Sequence, residues 1–164
     1  VTGVERWAGG GVGVFTGGGA QGRASGAGVA CGAVAGVVAI EPGSGVVGGY
    51  GALIIGIDAG VLCFFAATAV KRACGYDDSL DAFGVHCIGG IVGALLTGVF
   101  NVKEISGADA DLLVQLGAVV TTLIYSGVGS FIILKVIDMV VGLRVSEEEE
   151  REGLDISLHG ERVE

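Results

Sequence analysis

The chain is short of charge, proline and histidine, and each shortage closes off a class of protein. Only 16% of its 164 residues are charged, well below the share that an ordinary water-soluble domain uses to solvate its surface. A single proline excludes Pro-rich disorder, and the 33 glycines show no three-residue period, which excludes a collagen-like chain. Two histidines and four cysteines (Cys31, Cys63, Cys74 and Cys87), with no C-x-x-C pair, give neither zinc-site spacing nor a disulfide framework. Three of the cysteines lie in apolar runs, where cysteine behaves as a small hydrophobe. No metal or cofactor is expected, and an enzyme is not. Basic residues are also few: nine against 18 acids, a net charge of -9. Over half of that excess lies between Leu143 and Glu164, where eight acids face three arginines. Such a chain offers no basic face to nucleic acid.

What is abundant is apolar. Hydrophobic residues make up 51% of the chain and its mean hydropathy is +0.75. The glycines sit inside the apolar runs, and together these features predict an all-α, polytopic membrane helix bundle with the lipid bilayer as its solvent.

Residues 1–22 are Gly-rich, carry no sustained apolar period and do not resemble a signal peptide; they are left unassigned. Residues 23–143 read as four transmembrane helices. The first run, 24–40, ends at Glu41-Pro42-Gly43, a turn signal. The second, 45–70, contains Asp58 and stops at Lys71-Arg72. The third covers 82–100, and the fourth 112–143, with Lys135 and Asp138 near its far end, within reach of the interface. Arg23, Lys71, Arg72 and Arg144 fall on one side of this arrangement and only Lys103 on the other, so both ends are expected in the cytoplasm. Residues 144–164 then form an acidic cytoplasmic tail.

Two G-x-G-x-x-G matches, at 17–22 and 43–48, lack the strand and amphipathic helix that a dinucleotide site needs. Packing explains the glycines better: Gly32 and Gly36, Gly56 and Gly60, and Gly89 and Gly93 are small-x-x-x-small pairs that let helix backbones approach closely. His86 differs in kind, because an ionisable ring within a span is a functional candidate by default. Neutral imidazole can handle a small polar solute without carrying charge into the bilayer, or it can be satisfied by a backbone carbonyl. Composition does not separate these two readings; both expect a buried ring. Asp81 is expected at the helix entrance, accepting from free N–H groups, with Asp77 and Asp78 as solvated loop acids. Asp58 either faces a polar bundle interior or marks a chain that assembles poorly. In the tail, Ser146 and Glu149 fit a capping box, Gly153 is placed to end the short helix, and His159 reads as an exposed bystander.

Four stretches carry a resemblance: GAVAGVVAIEP (32–42), GALIIGIDAG (51–60), DAFGVHCIGGIVGALLTGVF (81–100) and GLRVSEEEEREGLDISLHGE (142–161). In this order they resemble the last four membrane helices and the tail of the Amt/Mep/Rh ammonium transporters, over about residues 24 to 164. The resemblance implies the second half of that fold, a trimer with one pore per subunit, ammonium or ammonia as substrate, a cell-membrane location and nitrogen uptake as the purpose. It places His86 on the second of two pore-lining histidines and makes the tail, with Ser146, Glu149 and Gly153, a docking element for a PII-type regulator. The first pore histidine, the outer aromatic site and the phenylalanine gate belong to helices absent from these residues. Glu41, Asp58 and Cys87 depart from the threonine, small or apolar residue, and glycine usual in the family. A truncated, non-conducting fragment that at most associates with full-length subunits is therefore the alternative.

Overall fold

The computed structural model describes residues 26–161. Residues 1–22, the first glycine motif and the start of the first apolar run lie outside the described residues. The described residues form helices joined by turns and short connections, with no strand among them; their one β-type contact is an isolated antiparallel bridge between Val47 and Asn101. It divides into two compact units that meet within one long helix, the first ending at Val120 and the second beginning at Thr121.

In the first unit, α1 (Gly26–Ile40) ends in a 3-10 turn at Glu41–Gly43, where Pro42 occupies an early helical position. Helix α2 (Gly49–Phe65) runs into a π-helical turn at Ala66–Val70 and then α3 (Lys71–Cys74). A second π-turn, Phe83–Cys87, opens α4 (Ile88–Phe100). A short α5 (Lys103–Ser106) and the beginning of α6 (Leu112–Val140) follow. The second unit holds the rest of α6, the tail helix α7 (Glu147–Glu152) and a π-turn at Asp155–His159.

Helices α1, α2 and α4 pack together because glycine and alanine line their contacts. Ala39, Ile40, Val47, Ala52, Ile55 and Ala59 form the main core, flanked by Val46, Leu96 and Phe100. Ala35, Cys63 and Val85 form a second cluster. Gly32, Gly36, Gly56, Gly60, Gly89 and Gly93 are all buried. Space is tightest at Gly93, where any Cβ would overlap the backbone carbonyl of Ala39. Thr97, the buried polar residue of this region, donates its hydroxyl to the Gly93 carbonyl at 2.8 Å, within its own helix. That bond removes the cost of an unpaired hydroxyl in an apolar contact.

Among the described residues, three helical stretches are long and apolar enough to cross a membrane: Gly49–Cys74, Phe83–Phe100 and Leu112–Val140. The described part of α1 is 15 residues, shorter than the roughly 20 that span a bilayer without thinning it. Three boundaries differ from the sequence expectation: the second helix begins at Gly49 and not at residue 45, since residues 44–46 form a turn and Val47 pairs with Asn101, and two ends shift as well. The second helix continues through Lys71 and Arg72 to Cys74, because nothing local stops it until Gly75 adopts φ +64°. The fourth ends at Val140 rather than Leu143, where Gly142 adopts φ +86° and its N–H returns to the Ile137 carbonyl at 3.2 Å.

Candidate functional site

His86 lies in the π-turn Phe83–Cys87, where the Ile88 N–H donates to the Phe83 carbonyl five residues back. The ring is exposed, not buried as the apolar sequence around it suggests. The reason is in the packing: Gly84, Val85, Gly89 and Gly93 take the inward positions against α1 and α2. His86 is left on a face of α4 that the described helices leave open.

The turn is held from two sides. At its start, the Asp78 carboxylate accepts from the Ala82 N–H at 2.8 Å and the Phe83 N–H at 2.9 Å, satisfying two donors of the first helical turn. Asp81, the residue expected in that role, instead pairs with Lys71 at 2.8 Å. Lys71 also donates to the Asp78 carbonyl, so the end of the second span is tied to the start of the third. Asp81 carries φ +54°, the one positive value among the described non-glycine residues, and its carbonyl accepts from Val85 N–H at 2.8 Å. Its own N–H donates to the Asp78 carbonyl at 3.2 Å, and the lysine and these two backbone bonds hold the strained residue in place. Asp78 is therefore a structural cap and not a free loop acid. A polar connection with three acids, Asp77, Asp78 and Asp81, carries no local signal for which one caps.

On the other side, the π-turns face one another. A Cβ on Gly84 would stand 2.8 Å from the Ala67 nitrogen and 2.9 Å from its Cα, so only glycine permits this approach. The Cys63 thiol donates to the Val85 carbonyl at 3.6 Å, a long sulfur hydrogen bond in a buried position. Beside the turn, Tyr76 meets Phe83 edge to face at 5.4 Å, and these two with Asp77 and Asp78 line an open cavity of about 250 Å³. The Tyr76 hydroxyl is buried without a partner among the described residues, and that desolvation raises its pKa above the ordinary tyrosine value.

Elsewhere, Asp58 is half-exposed on α2. In the tail, Ser146 and Glu149 form a reciprocal cap: the serine hydroxyl accepts from Glu149 N–H at 3.3 Å, and the glutamate accepts from Ser146 N–H at 2.8 Å. Gly153 ends the helix at φ +102°, its N–H bonded to the Glu149 carbonyl at 3.0 Å. Arg144 grips Glu150 through two bonds of 2.8 and 2.9 Å. The serine bonds lower the Glu149 pKa and the arginine lowers that of Glu150. His159 closes the following π-turn and is exposed.

The profile of the Ammonium Transporter Family matches residues 5–164. The chain belongs to that family. It is 47% identical over 143 residues to an ammonium transporter of Aquifex aeolicus, covering 83% of this chain and 34% of that relative. Against an ammonium transporter of Bacillus subtilis the identity is 40% over 145 residues, covering 83% of this chain and 36% of the relative. The crystal structure of Saccharomyces cerevisiae Mep2 superimposes with a TM-score of 0.83 at 25% identity, over 90% of this chain and 36% of that one. The chain thus spans about a third of the length of the ammonium transporters it matches. Its three long apolar helices and its family make it a multi-pass membrane protein.

Proposed function

We propose that this chain forms part of an ammonium-conducting membrane protein, with His86 lining the path of the solute. The observation that carries the reading is the exposed imidazole on an otherwise apolar helix, presented by a π-turn in a member of the ammonium transporter family. A solute entering an apolar passage loses its water, at a cost of several kcal/mol for an unpaired polar group. A neutral imidazole offers one donor and one acceptor there and offsets part of that cost. The remaining features of the reading follow the family resemblance: a homotrimer in the cell membrane, a cytoplasmic C-terminus, and a tail around Ser146, Glu149 and Gly153 that receives a PII-type regulator.

The test is methylammonium uptake by cells lacking their own ammonium transporters, comparing the chain, His86→Ala and an empty vector at equal membrane abundance. The reading expects uptake above the vector that disappears in His86→Ala. Uptake that survives the substitution overturns the role of His86. A second reading, a chain that does not conduct alone and at most joins full-length subunits, is favoured by the open face around His86. Uptake equal to the vector selects it.

A further inference from the structure

The geometry points to a positioning function for the paired π-turns: Ala66–Val70 and Phe83–Cys87 set the direction in which His86 faces, and Gly84 is the residue that keeps them in register. That this direction matters for conduction rests on the pore reading of His86; that it is set by the turns does not.

In an uninterrupted α-helix, residues three and seven apart share a face. His86 would then stand with Gly89 and Gly93, the positions that meet Cys63 and Ala39. Both glycines are buried in that contact, yet His86 is exposed. The π-turn accounts for the difference, since each of its residues advances the chain by less than the about 100° of an α-helix. The imidazole is rotated off the packed stripe while α4 stays seated on it.

Such a turn is unfavourable by itself and needs holding. Both of its ends are fixed: the Asp78 carboxylate caps the start, and Gly89 and Gly93 lock the helix beyond it. Between those ends, Gly84 rests on the Ala67 backbone of the facing π-turn, whose own signature is the Lys71 N–H donating to the Ala66 carbonyl. Cys63 then supplies a donor to the Val85 carbonyl, next to His86 in sequence. Contact and hydrogen bond act on the two residues immediately before the imidazole.

The experiment is solid-state NMR of the full chain in oriented lipid bilayers, with ring-15N histidine in a His159→Gln background so that His86 alone reports. Backbone 15N labels at Gly89 and Gly93 report the tilt of α4 in the same samples. Gly84→Ala is expected to reorient the ring by tens of degrees while the Gly89 and Gly93 tilts hold. Gly90→Ala, at a position with open space around it, is expected to change neither. Cys63→Val removes the donor at similar volume and is expected to reorient the ring less, with Cys63→Ser restoring it; this pair stands in if Gly84→Ala does not insert. A ring that keeps its orientation in Gly84→Ala, or in Cys63→Val, overturns the proposal, and so does movement of ring and helix together. Ring orientation is read without transport, so uptake indifferent to His86→Ala would sink the pore reading and leave this result standing.

Discussion

At the scale of single residues, the chain is governed by where a side chain is forbidden. Gly93 tolerates no Cβ because the Ala39 carbonyl already occupies that place, whereas Gly90 on the same helix faces open space. Gly93→Ala should lower the stability of the first unit by about 1–3 kcal/mol, the usual cost of overpacking, and Gly90→Ala should leave it unchanged or raise it slightly through helix propensity. Thermal unfolding in detergent, run side by side, separates the two. A second residue-scale consequence concerns Asp78. Its carboxylate takes two N–H groups at the mouth of the His86 helix, so Asp78→Ala should cost about 1 kcal/mol and expose Ala82 and Phe83 amides to hydrogen exchange. Asp77→Ala, on a solvent-exposed neighbour, should not. The sequence reading assigned the capping role to Asp81 and missed Asp78, because Asp77, Asp78 and Asp81 are all short acids before one apolar run and only the fold of the connection selects among them.

At the scale of elements, the tail helix is a small, closed system of charges. Five of its six residues are glutamate, and it persists because Ser146 and Arg144 satisfy two of them. The Glu149 and Glu150 pKa values are lowered from an ordinary 4.5 in the folded tail. A depressed folded value contributes stability that is present above the unfolded pKa and lost as pH falls through the folded one. The helix at Glu147–Glu152 should therefore be intact at neutral pH and fray below about pH 4.5. Backbone 13C shifts of residues 146–153 across a pH series would follow it. Ser146→Ala should fray it at neutral pH as well, by about 1 kcal/mol. This element was readable from its sequence, since a capping box and a terminal glycine act over four to seven residues and need no partner. The π-turns were not readable, because the apolar pattern through Phe83–Cys87 fits an α-helix equally well and the extra residue is accommodated only when both neighbouring segments are pinned.

At the scale of the whole molecule, three stretches of spanning length must reside in lipid. The chain should resist extraction from membranes by alkaline carbonate and enter solution only with detergent. Topology is testable through Cys74, an exposed cysteine after Lys71 and Arg72. If this connection faces the cytoplasm, a membrane-impermeant maleimide should label Cys74 in permeabilised cells and leave it unmodified in intact ones. Cys31→Ala, Cys63→Ala and Cys87→Ala in one chain would make Cys74 the sole target. Labelling of intact cells would reverse the orientation derived from the distribution of lysine and arginine.

Membrane residence, the helical class, the order of the apolar runs, the capped tail and the family resemblance were determined by the sequence alone. Each depends on composition or on contacts within one or two helical turns, which a linear pattern records directly. The tertiary structure alone decided which aspartate caps the third span, that Lys71 joins two spans, and that His86 faces outward from the glycine stripe it would share in a regular helix. Those depend on backbones brought together from distant parts of the chain: Gly84 against Ala67, Gly93 against Ala39, the Cys63 thiol against the Val85 carbonyl. A rotation of tens of degrees in one turn leaves no mark on hydrophobic periodicity, yet it decides which surface receives the imidazole.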